Sequence, residues 1–315
     1  MKRQSKRLLV GITVILGGGF IFLNVLAYNH AWAMMHFTDA GSRTARPEAQ
    51  RGWGKTRVLL TGVNVPRPGT GPAPDGWREI SIPGADEVTL GAWLSERGPD
   101  APLVVLFHGY ATAKTSLVGE AETFDALGCS TLVVDFRGSG ASSEAYTSIG
   151  VAEARDVESA AHYAQEQVPH SELILFGRSM GAAAILRAVA ERGVEPNAVI
   201  LEAVFDNLLG TVRNRFVAMG VPSFPSAELM VFWGGWQMGF SGFDHQPVEY
   251  AKSLTCPALL LHGADDPRAT VGEAKRVYDA VPGRKVYVEF PATGHETYVA
   301  RFPEEWGAAV GEFLR

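Results

Sequence analysis

From residue 78 onward, short continuous apolar runs alternate with longer stretches whose apolar positions recur every three or four residues. Arg78 to Ile82 and Val88 to Leu94 alternate as two antiparallel strands would. Leu103 to Phe107 is a fully apolar strand, followed by a helical stretch from Leu117 to Leu127 and a buried strand from Thr131 to Val134. The alternation continues with a helix over Ala152 to Gln167, a strand over Leu173 to Phe176, a helix over Ala182 to Glu191 and a strand over Ala198 to Leu201. It resumes with a strand over Ala258 to Leu261, a helix from Gly272 to Val281, a last strand from Lys285 to Phe290 and an amphipathic helix after Pro303. Apolar strands separated by helices predict an α/β architecture: a mainly parallel, doubly wound sheet of about eight strands, covered on both faces.

Two regions break this rhythm. Between about residues 206 and 255 lies an insert rich in Trp, Phe, Gly and Met, including Phe232-Trp233-Gly234-Gly235-Trp236. It is expected to pack over the strand ends, either as a helix pair that completes the core or as a substrate-shaping lid. The other region is the N-terminus. Lys2, Arg3, Lys6 and Arg7 precede a run from Leu8 to Tyr28 without one charged side chain. As a helix that run is about 30 Å long, the hydrocarbon thickness of a bilayer.

The basic flank should stay cytoplasmic, which places the rest of the chain on the far side. Ala31-Trp32-Ala33 also satisfies a signal-peptidase pattern, so the alternatives are a single-pass anchor with an extracytoplasmic catalytic domain and a secreted protein. The chain thus divides into an anchor or signal over 1–33, a Pro- and Gly-rich stalk or lead-in over 34–77, and a catalytic domain over 78–315. The lead-in holds short apolar pieces such as Val58-Leu59-Leu60 and has room for one edge strand.

Composition narrows the chemistry. A net charge of −6, no basic run beyond the first seven residues and no phosphate-binding glycine loop argue against a nucleic-acid or nucleotide partner. Cys129 and Cys256 are too few for a stapled scaffold or a zinc site, and each sits at the edge of a buried strand.

The most informative stretch is Leu173-Ile174-Leu175-Phe176-Gly177-Arg178-Ser179-Met180-Gly181, an apolar strand entering a Gly-x-Ser-x-Gly turn that opens an Ala-rich helix. There a serine is forced out at the top of the sheet, and both glycines leave room for neighbouring backbone. Its hydroxyl needs a base, and the base needs a carboxylate to orient it. In such folds the acid follows a later strand and the histidine the last one. Among eight histidines, His295 in the Gly294-His295 turn after the final strand has the right position. Asp266, fixed by Pro267, is the preferred acid, with Asp265 as its rival. Met180 N–H, at the start of a helix, and Tyr110 N–H, in the loop after His108-Gly109, are the candidate oxyanion donors.

With the elbow, the His108-Gly109 strand end, Asp135-x-Arg137-Gly138-x-Gly140, the Asp266 turn and Gly294-His295 in this order, the chain resembles the α/β-hydrolase family over about residues 78 to 315. Its likeness is to the serine esterase, lipase and serine-aminopeptidase-like branch. That resemblance implies Ser179 as nucleophile, His295 as base, Asp266 as orienting acid, and backbone donors at Met180 and Tyr110. Asp135 and Arg137 would shape the rim structurally. The implied reaction is hydrolysis of a small-molecule acyl ester or thioester through an acyl-enzyme, without metal or organic cofactor. Peptide or amide cleavage is the alternative within the class, and a non-catalytic binding module the alternative outside it.

Overall fold

The computed structural model describes residues 2–45 and 50–315, with side chains from Lys6 onward. The side chains of Lys2 and Arg3, half of the basic flank, and residues 46–49 of the lead-in lie outside the described residues. Helix α1 spans Lys2–Met35 and α2 Trp53–Thr61. The sheet and its helices then follow: β1 Arg78–Pro83, β2 Thr89–Ser95, β3 Leu103–Phe107, α3 Val118–Ala126, β4 Ser130–Val134, α4 Glu153–Gln167, β5 Leu173–Arg178, α5 Met180–Arg192 and β6 Ala198–Glu202. After these come α6 Leu208–Ala218, α7 Ser226–Met238, α8 Pro247–Tyr250, β7 Ala258–Gly263, α9 Val271–Ala280, β8 Lys285–Phe290, α10 Tyr298–Arg301 and α11 Pro303–Phe313.

The eight strands form one sheet in the order β1-β2-β4-β3-β5-β6-β7-β8. β2 pairs antiparallel with both β1 and β4, and every later pairing is parallel. This is the mainly parallel sheet expected from the alternation of apolar runs, in the α/β-hydrolase fold that the resemblance implies. The two-residue period of each strand sorts its side chains to opposite faces. Leu103, Val105, Phe107, Leu173, Leu175, Ala258 and Leu260 join α4 and α5 in one core. Val104, Leu106, Ile174, Phe176, Leu259 and Leu261 join α3 and α11 in the other, around the buried rings of Phe124 and Trp306. Both faces being covered explains why these strands contain no polar position that could face water.

The N-terminal part departs from the expected division. The boundary drawn at residue 33 falls inside a helix that runs on to Met35. From Asn24 onward that helix is packed on the insert: Trp233 Nε1 donates to Asn24 Oδ1 at 3.0 Å, Gln237 Nε2 donates to the Tyr28 carbonyl at 2.9 Å, and the Tyr28 and Trp233 rings meet edge to face at 5.6 Å. Val58-Leu59-Leu60 lies in α2 rather than in an edge strand, with Val58 buried. The insert forms two helices, α6 and α7, sharing a small core of Leu208, Val212, Phe216, Ala227 and Val231.

Candidate active site

Ser179 sits between the last residue of β5 and the first of α5 with φ 53° and ψ −108°, a backbone conformation that L-residues avoid at a cost of about 1–3 kcal/mol. Two contacts hold it there. Its N–H donates to the Glu202 carbonyl at the end of β6 at 2.7 Å, and its own carbonyl accepts from Ala183 N–H at 3.1 Å. The flanking glycines are sterically obligatory. A Cβ on Gly177 would lie 2.5 Å from the Gly181 carbonyl carbon, and one on Gly181 would lie 2.4 Å from the Phe107 oxygen.

The turn after β7 buries Asp266 and leaves its neighbour Asp265 exposed. One oxygen of Asp266 accepts from the amides of Arg268 (2.8 Å) and Ala269 (3.0 Å), and the other accepts from His295 Nδ1 at 2.7 Å. Burial pushes the Asp266 carboxyl up, but the imidazole charge and these three donors outweigh it and hold the group below the ordinary aspartate range. Because a carboxylate only accepts, the Nδ1 of His295 carries a proton, and in the neutral ring Nε2 keeps its lone pair. Asp265 contributes through its backbone, its N–H donating to the Thr293 carbonyl at 2.9 Å and tying the acid turn to the histidine loop.

Ser179 and His295 line one cavity of about 620 Å³, together with Gly109, Tyr110 and Ala203. Met180 opens α5, so its N–H has no acceptor within the helix. The Gly109 loop runs beside the elbow, close enough that a Cβ there would meet Ser179 Cβ at 3.7 Å. His108, fully buried, fixes that loop. Phe136 N–H donates to its Nε2 at 3.0 Å, so Nδ1 is the donor to the Gly109 carbonyl at 2.8 Å. The Tyr110 phenol donates to the Met34 carbonyl of α1 at 2.6 Å, and burial, partly countered by Arg215, Arg43 and Arg268, pushes its pKa up to about 12.

Asp135 and Arg137 serve the rim. Asp135 accepts from the amides of Lys114 (2.7 Å) and Ala141 (2.9 Å) and pairs with the Lys114 ammonium, while Arg137 forks onto Asp156, with its closest contact at 2.7 Å.

Two features were not anticipated from sequence. Arg178, immediately before the serine, pairs with Glu202 at 2.6 Å and with Glu120, and Glu202 also accepts from Trp306 Nε1 at 2.9 Å. A charged residue closing an apolar strand, with a glutamate ending the next strand, was the available signal. The second is the cavity wall: Leu23, Leu26, Ala27, His30 and Met34 of α1 line it, as do Val58 and Leu59 of α2. No local pattern links these residues to the elbow.

Comparison with known proteins agrees with this architecture. The serine aminopeptidase S33 family matches residues 98–207. An uncharacterized protein of Mycobacterium tuberculosis is 26% identical over 239 residues, covering 72% of this chain and 78% of its own. The lysophosphatidylserine lipase ABHD12 of Danio rerio is 23% identical over 236 residues, covering 70% of this chain and 59% of the lipase. The chain therefore spans little more than half the length of that relative. Among solved structures, an esterase of Pyrococcus furiosus superposes with a TM-score of 0.64 at 24% identity, covering 80% of this chain and 98% of the esterase. The chain has the α/β-hydrolase fold, carries the serine aminopeptidase S33 match over residues 98–207, and is a serine hydrolase.

Proposed function

We propose that the protein is a membrane-anchored serine esterase in which Ser179, His295 and Asp266 act as a catalytic triad. The observation that carries this reading is the 2.7 Å bond from His295 Nδ1 to the buried Asp266, made at a cavity shared with a strained, outward-held serine. In the proposed cycle, Ser179 Oγ attacks the ester carbonyl while His295 Nε2 takes its proton. The Met180 and Tyr110 amides receive the oxyanion, and Asp266 stabilises the imidazolium. The proton passes to the departing alkoxide and leaves an acyl-serine. Water, activated by the same nitrogen, then releases the carboxylic acid and restores the hydroxyl.

The cavity lining supports an ester over an aminopeptidase substrate. A free α-ammonium needs a carboxylate, and among the described residues the one acidic side chain lining the cavity is Glu296, which is engaged by Arg301 at 3.0 Å. Four guanidinium groups line it: Arg43, Arg178, Arg215 and Arg268. A lining that combines guanidinium groups, of which Arg178 is already paired with Glu202 and Glu120, with the apolar side chains of α1 and α2 fits an amphiphilic ester, in keeping with the name of the lysophosphatidylserine lipases. Single-pass anchoring is supported by Lys6–Met35, which is long and apolar enough to cross a bilayer, with Lys6 and Arg7 at its start. In the proposed topology the basic flank stays cytoplasmic and the catalytic domain lies on the extracytoplasmic side.

The test is Ser179→Ala. Its expected outcome is loss of p-nitrophenyl butyrate hydrolysis by more than about 10³-fold, together with loss of fluorophosphonate labelling and an unchanged thermal midpoint. Turnover close to that of the parent would remove the assignment.

A further inference from the structure

The cavity that holds Ser179 is walled on one side by the same helix that is long enough to cross the membrane. Where along that helix the wall begins is decisive. An apolar run starting at Leu8 fills the roughly 30 Å of hydrocarbon in about twenty residues, so it emerges near Ala27, with Tyr28 and Trp32 following at the depth aromatic residues prefer. Up to Phe22 the large side chains point outward: Leu8, Leu16 and Ile21 are each about two-thirds exposed. From Leu23 the helix gains protein contacts, and Leu23, Leu26 and Ala27 line the cavity. The wall therefore begins inside the outer leaflet rather than above it.

A second observation points the same way. Trp53 and Leu60 of α2, Val217 of α6, Phe224 in the turn between α6 and α7, and Phe232 and Trp236 of α7 are all exposed, Trp53 and Phe224 to more than 70%. Of these helices, α2 and α7 pack on α1: a Cβ on Gly62, the residue after α2, would sit 3.8 Å from Ala33 Cβ, and Trp233 and Gln237 of α7 bond to α1 directly. Aromatic and aliphatic side chains gathered where a membrane helix leaves the domain form a surface that is stable against lipid and costly against water.

We propose that this cavity is an acyl-chain site open to the bilayer. The substrate is a long-chain ester resident in the outer leaflet, whose chain lies along Leu23, Leu26 and Ala27 of α1 while its carbonyl reaches Ser179. The proposal rests on the serine-esterase reading above, and it makes α1 a determinant of chain-length specificity in addition to an anchor. At about 620 Å³ the cavity is in the range that encloses a drug-sized or single-chain ligand.

The experiment uses the full-length protein in phosphatidylcholine vesicles, with p-nitrophenyl butyrate and p-nitrophenyl palmitate as probes and fluorophosphonate labelling of Ser179 to show that the site is folded. Leu26→Trp, which places a larger ring in the chain path, should lower the palmitate-to-butyrate ratio of kcat/KM at least tenfold. Leu26→Ala, which widens the path without crowding the α7 interface, should raise the relative rate on a branched long-chain ester at least threefold. If both variants label and both ratios stay within twofold of the parent, α1 does not hold the chain and the proposal is overturned, with the triad reading untouched. If the parent protein neither labels nor cleaves either ester, the serine-esterase reading itself fails, and this proposal with it.

Discussion

The rim of the sheet and the cap above it are built in opposite ways. At the rim, each functional side chain is placed within a few residues of a strand end: Ser179 directly after β5, Asp266 three residues after β7 and His295 five residues after β8. Short backbone bonds lock these turns, and parallel register brings them to one edge. The cap is assembled from α1, α2, α6 and α7, whose decisive contacts join residues 209 positions apart, and it leaves much of its apolar surface exposed. The comparison teaches that the proposed triad is local to the sheet, whereas the shape of the cavity beside it is a tertiary property shared with the N-terminal helix.

The largest expected effect tests the rim. Asp266→Asn keeps the shape of the turn but removes the acceptor that fixes the His295 tautomer, so turnover should fall by roughly 10³ to 10⁴. Asp265→Asn keeps the backbone bond to Thr293 and should cost less than about threefold. Reversed effects, measured on a short ester, would mean that the acid turn works in another register.

A smaller effect separates the cap from the rim. Removing residues 1–33 strips the partner from Trp233, Gln237 and the cavity wall, whereas removing residues 1–20 leaves Leu23 to Met35 in place. The longer deletion should lose at least about tenfold in activity on a long-chain ester and self-associate through the uncovered α7, with the shorter one near the parent. A soluble, monomeric enzyme lacking 1–33 with an unaltered chain-length profile would show that rim and cap are independent.

The smallest effect is on acid stability. Burial, with a contribution from Arg187, pushes His245 down to about 3, and burial also lowers His108 and His262. Each stays neutral in the folded protein while the unfolded chain takes up a proton below about pH 6.5, so stability is lost as pH falls through that value. Each such histidine adds about 1.4 kcal/mol per pH unit to the slope of unfolding free energy below that point. His245→Gln should remove that increment from the slope measured by urea titration between pH 6 and pH 4. An unchanged slope would mean that His245 is protonated in the fold.

Legibility follows the same division. β3 begins and ends where its apolar run does, because a strand buried on both faces admits no polar residue. The choice of Asp266 over Asp265 could be argued from a single turn, since Pro267 constrains it. Helix α2 could not. Its Val58-Leu59-Leu60 segment is as compatible with an edge strand as with a helix, and only Val58 is buried. The insert left two readings open, core completion and substrate shaping, and α6 and α7 do both: Val212 and Phe216 belong to their shared core and also line the cavity. The packed half of α1 was hidden by its composition, because an apolar face suited to lipid is equally suited to Trp233.

The bonds from Trp233 to Asn24 and from Gln237 to Tyr28 also carry a consequence for the order in which the molecule is made. Synthesis delivers α1 first and its partner α7 some two hundred residues later. During that interval the face of Leu23 to Met35 has no protein to rest on, and lipid is the solvent that suits it. The rim can assemble as each strand emerges, but the cavity above it closes only when α7 meets the helix that was made first.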